Sequence, residues 1–356
     1  MRSPRFGTLL LVLVAIVLAP AVATVTAPLV PVSAQASCAI EGFTDTPIEI
    51  MAPAAPGGGW DTTAREMQRV LQEEGIAPTV EVYNVEGAGG TVGIAQLVND
   101  EAGNDHHLMM MGLVMIGAIA TNASPVTLEQ TTPISSLTAE FEVIVVPADS
   151  EYQTLDDLIA AFQADPTAIS WGGGSAGGTD HILVGLIAQA VGVDPTQINY
   201  VPFSGGGEAL AAILGGQVSA GVSGVGEWLD QIESGELRAL AVSGVAAAGD
   251  ATPQAGGATP ETGASDAAIA PTLQEQGIDV ELANWRGLVA PPDISDEGRQ
   301  CLVALVEQMV ASEAWAQTRE QYGWQDFAMF GDEFATFLES ERERVTGILT
   351  ELGLIA

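Results

Sequence analysis

Two glycine-rich segments contain the residues whose types and spacing indicate chemistry. Segment 53–61 reads Pro-Ala-Ala-Pro-Gly-Gly-Gly-Trp-Asp, and segment 171–181 reads Trp-Gly-Gly-Gly-Ser-Ala-Gly-Gly-Thr-Asp-His. Each follows a strand-like run and precedes a helical one. Glycine leaves backbone N–H groups accessible, and a helix start adds partial positive charge. We therefore expect two anion-binding loops facing each other across a cleft, with Asp61 as the N-cap of its helix.

One match to a catalytic motif lies in the second segment. Ser175 stands in Gly-Gly-Ser-Ala-Gly, which fits the G-x-S-x-G nucleophile elbow of hydrolases. Such enzymes need an acid and then a histidine further along the chain. The only histidine after Ser175 is His181, which is too close to serve. A secreted α/β serine hydrolase using Ser175 is therefore kept only as an alternative, and we expect no enzyme.

The three histidines do not form a metal-binding pattern. His106 and His107 are neighbours in a strand-like run, so their side chains point to opposite faces and cannot share an ion. His181 has no cysteine or second histidine at ligand spacing. Walker and dinucleotide motifs are also absent. The sequence predicts neither a metal nor a cofactor.

Charge and composition exclude several classes of partner. The 356-residue chain has a net charge of −36, which would repel nucleic acid and anionic lipid. A hydrophobic fraction of 47% with 41 glycines indicates a folded protein. We expect no nucleic-acid binding.

The amino terminus indicates export. Residues 1–36 contain Arg2 and Arg5, an apolar run at 9–18 and a final Ala-Gln-Ala, the layout of a signal peptide. The apolar run is shorter than the ~20 residues that a membrane-spanning helix needs. The mature protein is expected on the periplasmic or extracellular side of the cell envelope.

The two cysteines, Cys38 and Cys301, both lie in the exported part. In an oxidising compartment they can form a disulfide, which is the favoured interpretation. The alternative is a lipid anchor at Cys38, although the glutamine three residues before it fits a lipoprotein site poorly.

Strand-like runs alternate with amphipathic helical stretches along most of the chain. This pattern is typical of mainly parallel sheets covered by helices, and the length favours two lobes with a hinge. We assign 37–144 plus 241–356 to lobe 1 and 145–240 to lobe 2. The low-complexity insertion 246–268 has too few bulky side chains to form a core.

Six motifs in a shared order resemble the TctC or Bug family of periplasmic binding proteins, the solute receptors of tripartite tricarboxylate transporters. The motifs are Pro56–Asp61, Asn84–Gly90, Gly174–His181, Leu214–Val218, Gly235–Val242 and Pro271–Gly277. The resemblance covers nearly the whole mature chain. It implies an α/β, two-lobed type II periplasmic binding protein that acts as a monomer. Such a receptor captures a small carboxylate, namely a tricarboxylate, a dicarboxylate or a related organic acid, and delivers it to membrane permease subunits. The alternative is a sensor that signals to a membrane partner.

The resemblance also implies a set of ligand-binding residues. In the family, backbone N–H groups of the two loops hold one carboxylate. Carried over by motif, with residues from later turns and a late strand added, the set is Gly58, Gly59, Trp60, Asp61, Ala176, Gly177, Gly178, Thr179, Phe203, Gly224 and Arg286. Trp60 departs from the small or polar residue of many members, which favours an apolar ligand body. Arg286 is expected either to reach a second ligand carboxylate or to form a surface ion pair.

Overall fold

The computed structural model describes residues 37–244 and 269–355. The expected signal peptide at 1–36 and the low-complexity insertion at 246–268 lie outside these residues. No helix in the described part of the chain has both the length and the apolar character needed to cross a bilayer.

Strands and helices alternate along the described residues. The strands are β1 Ile48–Ala52, β2 Val80–Asn84, β3 His107–Gly112, β4 Thr132–Pro147, β5 Ser170–Gly173, β6 Asn199–Pro202, β7 Ala220–Gly224, β8 Leu237–Val242, β9 Ala283–Ala290 and β10 Gln325–Asp326. The helices are α1 Gly59–Glu73, α2 Thr91–Asp100, α3 Leu113–Thr121, α4 Leu155–Ala164, α5 Thr179–Ala190, α6 Gly206–Leu214, α7 Val225–Glu233, α8 Asp296–Val310, α9 Glu313–Tyr322 and α10 Gly331–Glu351. The predicted α/β class is confirmed.

The sheet consists of two parallel groups joined by long antiparallel strands. Its order is β2-β1-β3-β9-β4-β7-β5-β6, with β8 and β10 also pairing with β4. Pairing is parallel within β1–β3 and within β5–β7, as predicted for each lobe. The 16-residue β4 is antiparallel to β9 in its first part and to β7 and β8 in its second. The two lobes share this strand.

Apolar runs explain why these strands are internal. All six residues of β3 are buried, and so is β4 from Ile134 to Val146, as expected for strands covered on both sides. The fully buried Trp171, Trp228 and Trp285 fill the space between sheet and helices. The lobe boundaries at 144/145 and 240/241 fall within β4 and β8 and stay a prediction.

The helix that follows β1, β3, β5 or β7 begins at the carboxyl end of that strand. All four of these helices, α1, α3, α5 and α7, have glycine N-caps without a side-chain cap, namely Gly58, Gly112, Gly178 and Gly224. The first N–H groups of an α-helix have no partner within the helix. The fold therefore gathers unpaired backbone donors on one edge of the sheet.

A disulfide joins the two cysteines. Cys38 and Cys301 have Cα atoms 4.1 Å apart, and Cys301 lies buried in α8. A sulfur atom in a disulfide cannot also carry a lipid, so the structure does not support the anchor at Cys38. The bond ties the exposed start of the described chain to the core.

Removing this cross-link should destabilise the protein. The bond spans 263 residues, so Cys38→Ala releases a large loop in the unfolded chain and should lower the free energy of unfolding by about 2–5 kcal/mol. Urea unfolding measures the effect, with Ser37→Ala as the control at a neighbouring exposed position. Equal stability of Cys38→Ala and wild type would contradict the expectation.

Candidate functional site

A cleft of about 630 Å³ opens at the carboxyl ends of the strands. It brings together most of the predicted ligand-binding residues, namely Gly58, Gly59, Trp60, Ala176, Gly178, Thr179, Phe203, Gly224 and Arg286. Asp61 and Gly177 do not line it. The turn 86–90, Asn284 and Glu227 also contribute to its walls. Both glycine-rich segments thus meet at one cavity.

Asp61 holds the first loop from behind. It is the third residue of α1, so the prediction that it is the N-cap is wrong; Gly58 takes that position. The Asp61 carboxylate accepts hydrogen bonds from the Gly57 N–H at 2.8 Å, from Arg65 and from the Asn84 amide. Burial opposes ionisation, but these donors outweigh it and lower the pKa of Asp61. The carboxylate fixes the loop against β2 and leaves the cleft side free.

The second loop also folds onto itself. Gly177 has φ +76°, a conformation that favours glycine, and its N–H donates to His181 Nδ1 at 3.1 Å. The Gly178 N–H donates to the Ser175 carbonyl at 2.9 Å. These two donors therefore shape the loop. The first turn of α5, which begins at Thr179, supplies the donors that remain without a helical partner.

The contacts of His181 stabilise the second loop and do not prepare it for catalysis. Its ring stacks on Tyr200 with centroids 4.1 Å apart, its Nδ1 accepts from Gly177, and burial lowers its pKa to about 4. In the described residues Ser175 forms no hydrogen bond with His181, although it lines the cleft. This arrangement gives the hydrolase alternative no support.

Trp60 is mostly a packing residue. Only 8% of it is exposed, and a Cβ on Gly90 would lie 2.9 Å from its ring. The indole therefore fixes α1 against the turn 86–90 and presents little surface to a ligand.

Arg286 forms a buried ion pair beneath the cleft, not one at the surface. Its guanidinium contacts Glu140 on the adjacent strand, and the two side chains are only 5% and 4% exposed. A Cβ on Gly59 would lie 2.6 Å from Arg286 Nη2, and one on Gly224 would lie 2.8 Å from the Glu140 carboxyl carbon. The pair thus packs directly against backbone from both glycine-containing walls.

Three further carboxyl groups surround this pair. Glu142 is two residues from Glu140, on the same face of β4. Both of its carboxyl oxygens are buried and have no hydrogen-bond partner among the residues that the structure describes. Asp180 and Glu227 line the cleft. We call Glu140, Glu142, Asp180 and Glu227 the acidic wall.

Desolvation and mutual repulsion raise the pKa of three members of the acidic wall, of which Asp180 and Glu142 are buried and Glu227 is exposed. The pKa of Asp180 rises to about 6 through desolvation, with a contribution from the charge of Glu140. Desolvation and the charge of Glu140 raise the pKa of Glu227 to about 7, against the opposing effect of Arg286. Because Glu227 is exposed to the open cleft, solvent screening weakens this rise. The pKa of Glu142 lies well above its usual value because of burial and Asp180. Sequence reasoning missed this wall; its one signal was two glutamates at alternate positions in a hydrophobic strand.

A family model, the tripartite tricarboxylate transporter family receptor TctC, matches residues 63–354. The chain belongs to this receptor family. The resemblance seen in the sequence is confirmed, and the family and fold are those of solute-binding receptors.

Curated relatives of the receptor match over nearly its whole length. A UPF0065 protein encoded in the TAR-I ttuE-ttuC' intergenic region of Agrobacterium vitis is 28% identical over 92% of this chain and 90% of its own. Protein BugT of Bordetella pertussis is 26% identical over 86% and 89%, respectively.

Solved structures show the fold. An R. palustris protein with adipate has a TM-score of 0.73 at 20% identity, covering 86% of this receptor and 98% of that chain. MatC from Rhodopseudomonas palustris with bound malate has a TM-score of 0.68 at 20% identity, covering 85% and 98%. The periplasmic binding protein BugD has a TM-score of 0.72 at 20% identity, covering 87% and 98%. The two-lobed periplasmic binding protein fold is confirmed.

The acidic wall should make receptor stability depend on pH. A carboxyl group whose pKa is raised on folding stabilises the folded state below its unfolded pKa, and this contribution is lost as pH rises through the folded value. For Glu227 this contribution is lost between about pH 4.3, the pKa of glutamate in the unfolded chain, and about pH 7, its pKa in the folded protein. Glu227→Gln should therefore have a higher Tm than wild type, and the difference should be larger at pH 8 than at pH 5.

Melting curves at both pH values test this, with Glu233→Gln as the control, since Glu233 lies on the same helix but does not line the cleft. A difference between Glu227→Gln and wild type that does not change with pH would contradict the role assigned to Glu227.

Proposed function

We propose that this receptor captures a small carboxylate between its lobes outside the cytoplasm and delivers it to the permease subunits of a tripartite tricarboxylate transporter. The observation that carries the proposal is the opening of two uncapped helix N-termini, those of α1 and α5, into one cleft. Unpaired N–H groups and the helix dipole make such termini suitable for a carboxylate.

The two termini belong to different proposed lobes. Helix α1 lies in 37–144 and α5 in 145–240, while β4 and β8 cross the boundaries between the lobes. A carboxylate held by both termini would therefore bring the lobes together, with the crossing strands as the hinge. Closure of this kind gives a permease a conformation that differs from the empty receptor. The bound malate and adipate of two structural neighbours support a carboxylate ligand.

The acidic wall restricts the class of carboxylate. Asp180 and Glu227 of the acidic wall line the cleft, and so do Glu86 and Glu208. Arg286 is the one cation among the described residues that line it, and it is paired with Glu140. A ligand with several carboxylates would place negative charge against this wall. A carboxylate that also carries an ammonium group would place its positive charge there and its anion at the helix termini. We therefore propose an amino acid or a related amino carboxylate as the ligand.

A thermal-shift panel of organic and amino acids tests receptor function on residues 37–356. A ligand at 100 times its Kd adds about 2.7 kcal/mol of stability, which gives a clear rise in Tm. In Gly59→Ala, the new methyl group displaces the Arg286 guanidinium from beneath the first loop, so we expect at least a tenfold loss of affinity. Gly207→Ala is the matched control because its Cβ meets nothing within 4 Å.

Mass spectrometry of the denatured protein should accompany the panel, since a copurified ligand would mask binding. No shift with any acid, in protein shown to be free of ligand, would contradict receptor function.

A comparison of aspartate with succinate tests the ammonium preference separately, because the two ligands differ in the amino group. Wild type should bind aspartate at least tenfold more tightly. Glu227→Gln should reduce this preference, and Glu233→Gln should preserve it. Tighter binding of succinate would refute the ammonium preference and leave the carboxylate receptor in place.

A further inference from the structure

A second cluster of ionisable side chains lies at the opposite ends of the strands from the cleft. Glu49 is near the start of β1, and His107 is the first residue of the parallel strand β3, directly opposite it in register. Glu101 follows α2 and completes the cluster. One ligand atom from each of the three side chains lies within 4.8 Å of the other two.

The histidine at this cluster is buried, and one of its ring nitrogens faces two carboxylates. His107 has no exposed surface, and its Nε2 is 2.9 Å from the Tyr83 hydroxyl. Its Nδ1 lies 3.2 Å from Glu101 Oε2 and 3.8 Å from Glu49 Oε2, and within residues 37–244 and 269–355 it has no partner in hydrogen-bond geometry. Native proteins satisfy nearly all buried polar atoms, and an ion held between this nitrogen and the two carboxylates would satisfy all three groups.

The local charge favours a cation. Glu81 on β2 stands opposite Glu49 in register, which adds another carboxylate on the same side of the sheet. The side chains of Glu49 and Glu101 are 43% and 25% exposed, so an ion can reach the site from solvent while His107 closes it from below.

We propose that Glu49, Glu101 and His107 bind one divalent transition-metal ion such as Zn²⁺. One imidazole nitrogen and two carboxylates suit zinc, whereas Ca²⁺ and Mg²⁺ prefer oxygen ligands alone. Water completes the coordination. The Tyr83 hydroxyl on Nε2 and the Asn104 amide, 3.0 Å from Glu101 Oε2, hold two of the ligands from outside, as surrounding residues do in established metal sites.

The ion would have a structural role. It would connect β1, β3 and the end of α2 at the edge of the sheet away from the cleft, so it would stabilise the fold without contacting the carboxylate. The sequence concealed the site because its ligands come from three separate segments. The adjacent His106 and His107 cannot share an ion, but His107 lies beside two glutamates from other segments of the chain.

Titration of EDTA-treated receptor with ZnCl₂ tests the proposal. Calorimetry should give one ion per chain, and Tm should rise by several degrees. Glu49 and Glu101 are partly exposed, which allows mild variants, and Glu49→Gln and Glu101→Gln should each weaken zinc binding at least tenfold. Asp100→Asn, an exposed acidic position next to Glu101, is the matched control and should bind as wild type does.

Substitution with Co²⁺ gives a second readout, because visible absorption reports ligation by protein groups. Absence of saturable zinc binding, or equal binding by wild type and the Glu49→Gln/Glu101→Gln double variant, would overturn the proposal. Neither result depends on whether the cleft binds a carboxylate.

Discussion

The structure depends most on the buried pair formed by Arg286 and Glu140. The pair connects β9 to β4, the strand that runs through both halves of the sheet, and the guanidinium also lies 5.6 Å from the centroid of the Trp324 ring. Its positive charge opposes the rise in pKa of Glu142 and Glu227. Loss of one partner of a buried pair costs about 3–5 kcal/mol, since the other charge is left uncompensated. Loss of Arg286 would also remove the cation beside the acidic wall, directly beneath the cleft.

The other arginines explain why an anion must be bound by backbone. Among the described residues, every arginine has partners. Seven form ion pairs with carboxylates, and Arg238 donates to the carbonyls of Ala148 and Tyr152; the seven are Arg65, Arg69, Arg286, Arg299, Arg319, Arg342 and Arg344. A protein with a net charge of −36 thus has no spare guanidinium in this part of the chain to offer a ligand. Helix N-termini supply positive potential without any ionisable group.

The sequence predicted those parts of the fold that depend on residues close together in the chain. Apolar runs and glycine punctuation located the strands and the two loops, because burial and backbone freedom are properties of short segments. The loop contacts were harder: Asp61 resembles an N-cap, but its carboxylate reaches back to Gly57 and across to Asn84, which lies on another strand. The antiparallel pairing of β4 with β9 joins segments far apart in the chain. For the same reason the acidic wall, assembled from β4, α5 and α7, had no sequence motif.

The helix termini in the cleft attract an anion, whereas the acidic wall repels one. These two effects on affinity conflict only when the ligand carries negative charge alone. In an open, solvated cleft the high dielectric constant weakens both effects. Lobe closure would remove water, strengthening the attraction of the α1 and α5 termini for a carboxylate and the repulsion of Asp180 and Glu227 for any second one. Discrimination would therefore arise mainly in the closed state. A ligand that brings one charge of each sign satisfies both surfaces, and neutralising Glu227 with a proton near pH 7 would relax the selection.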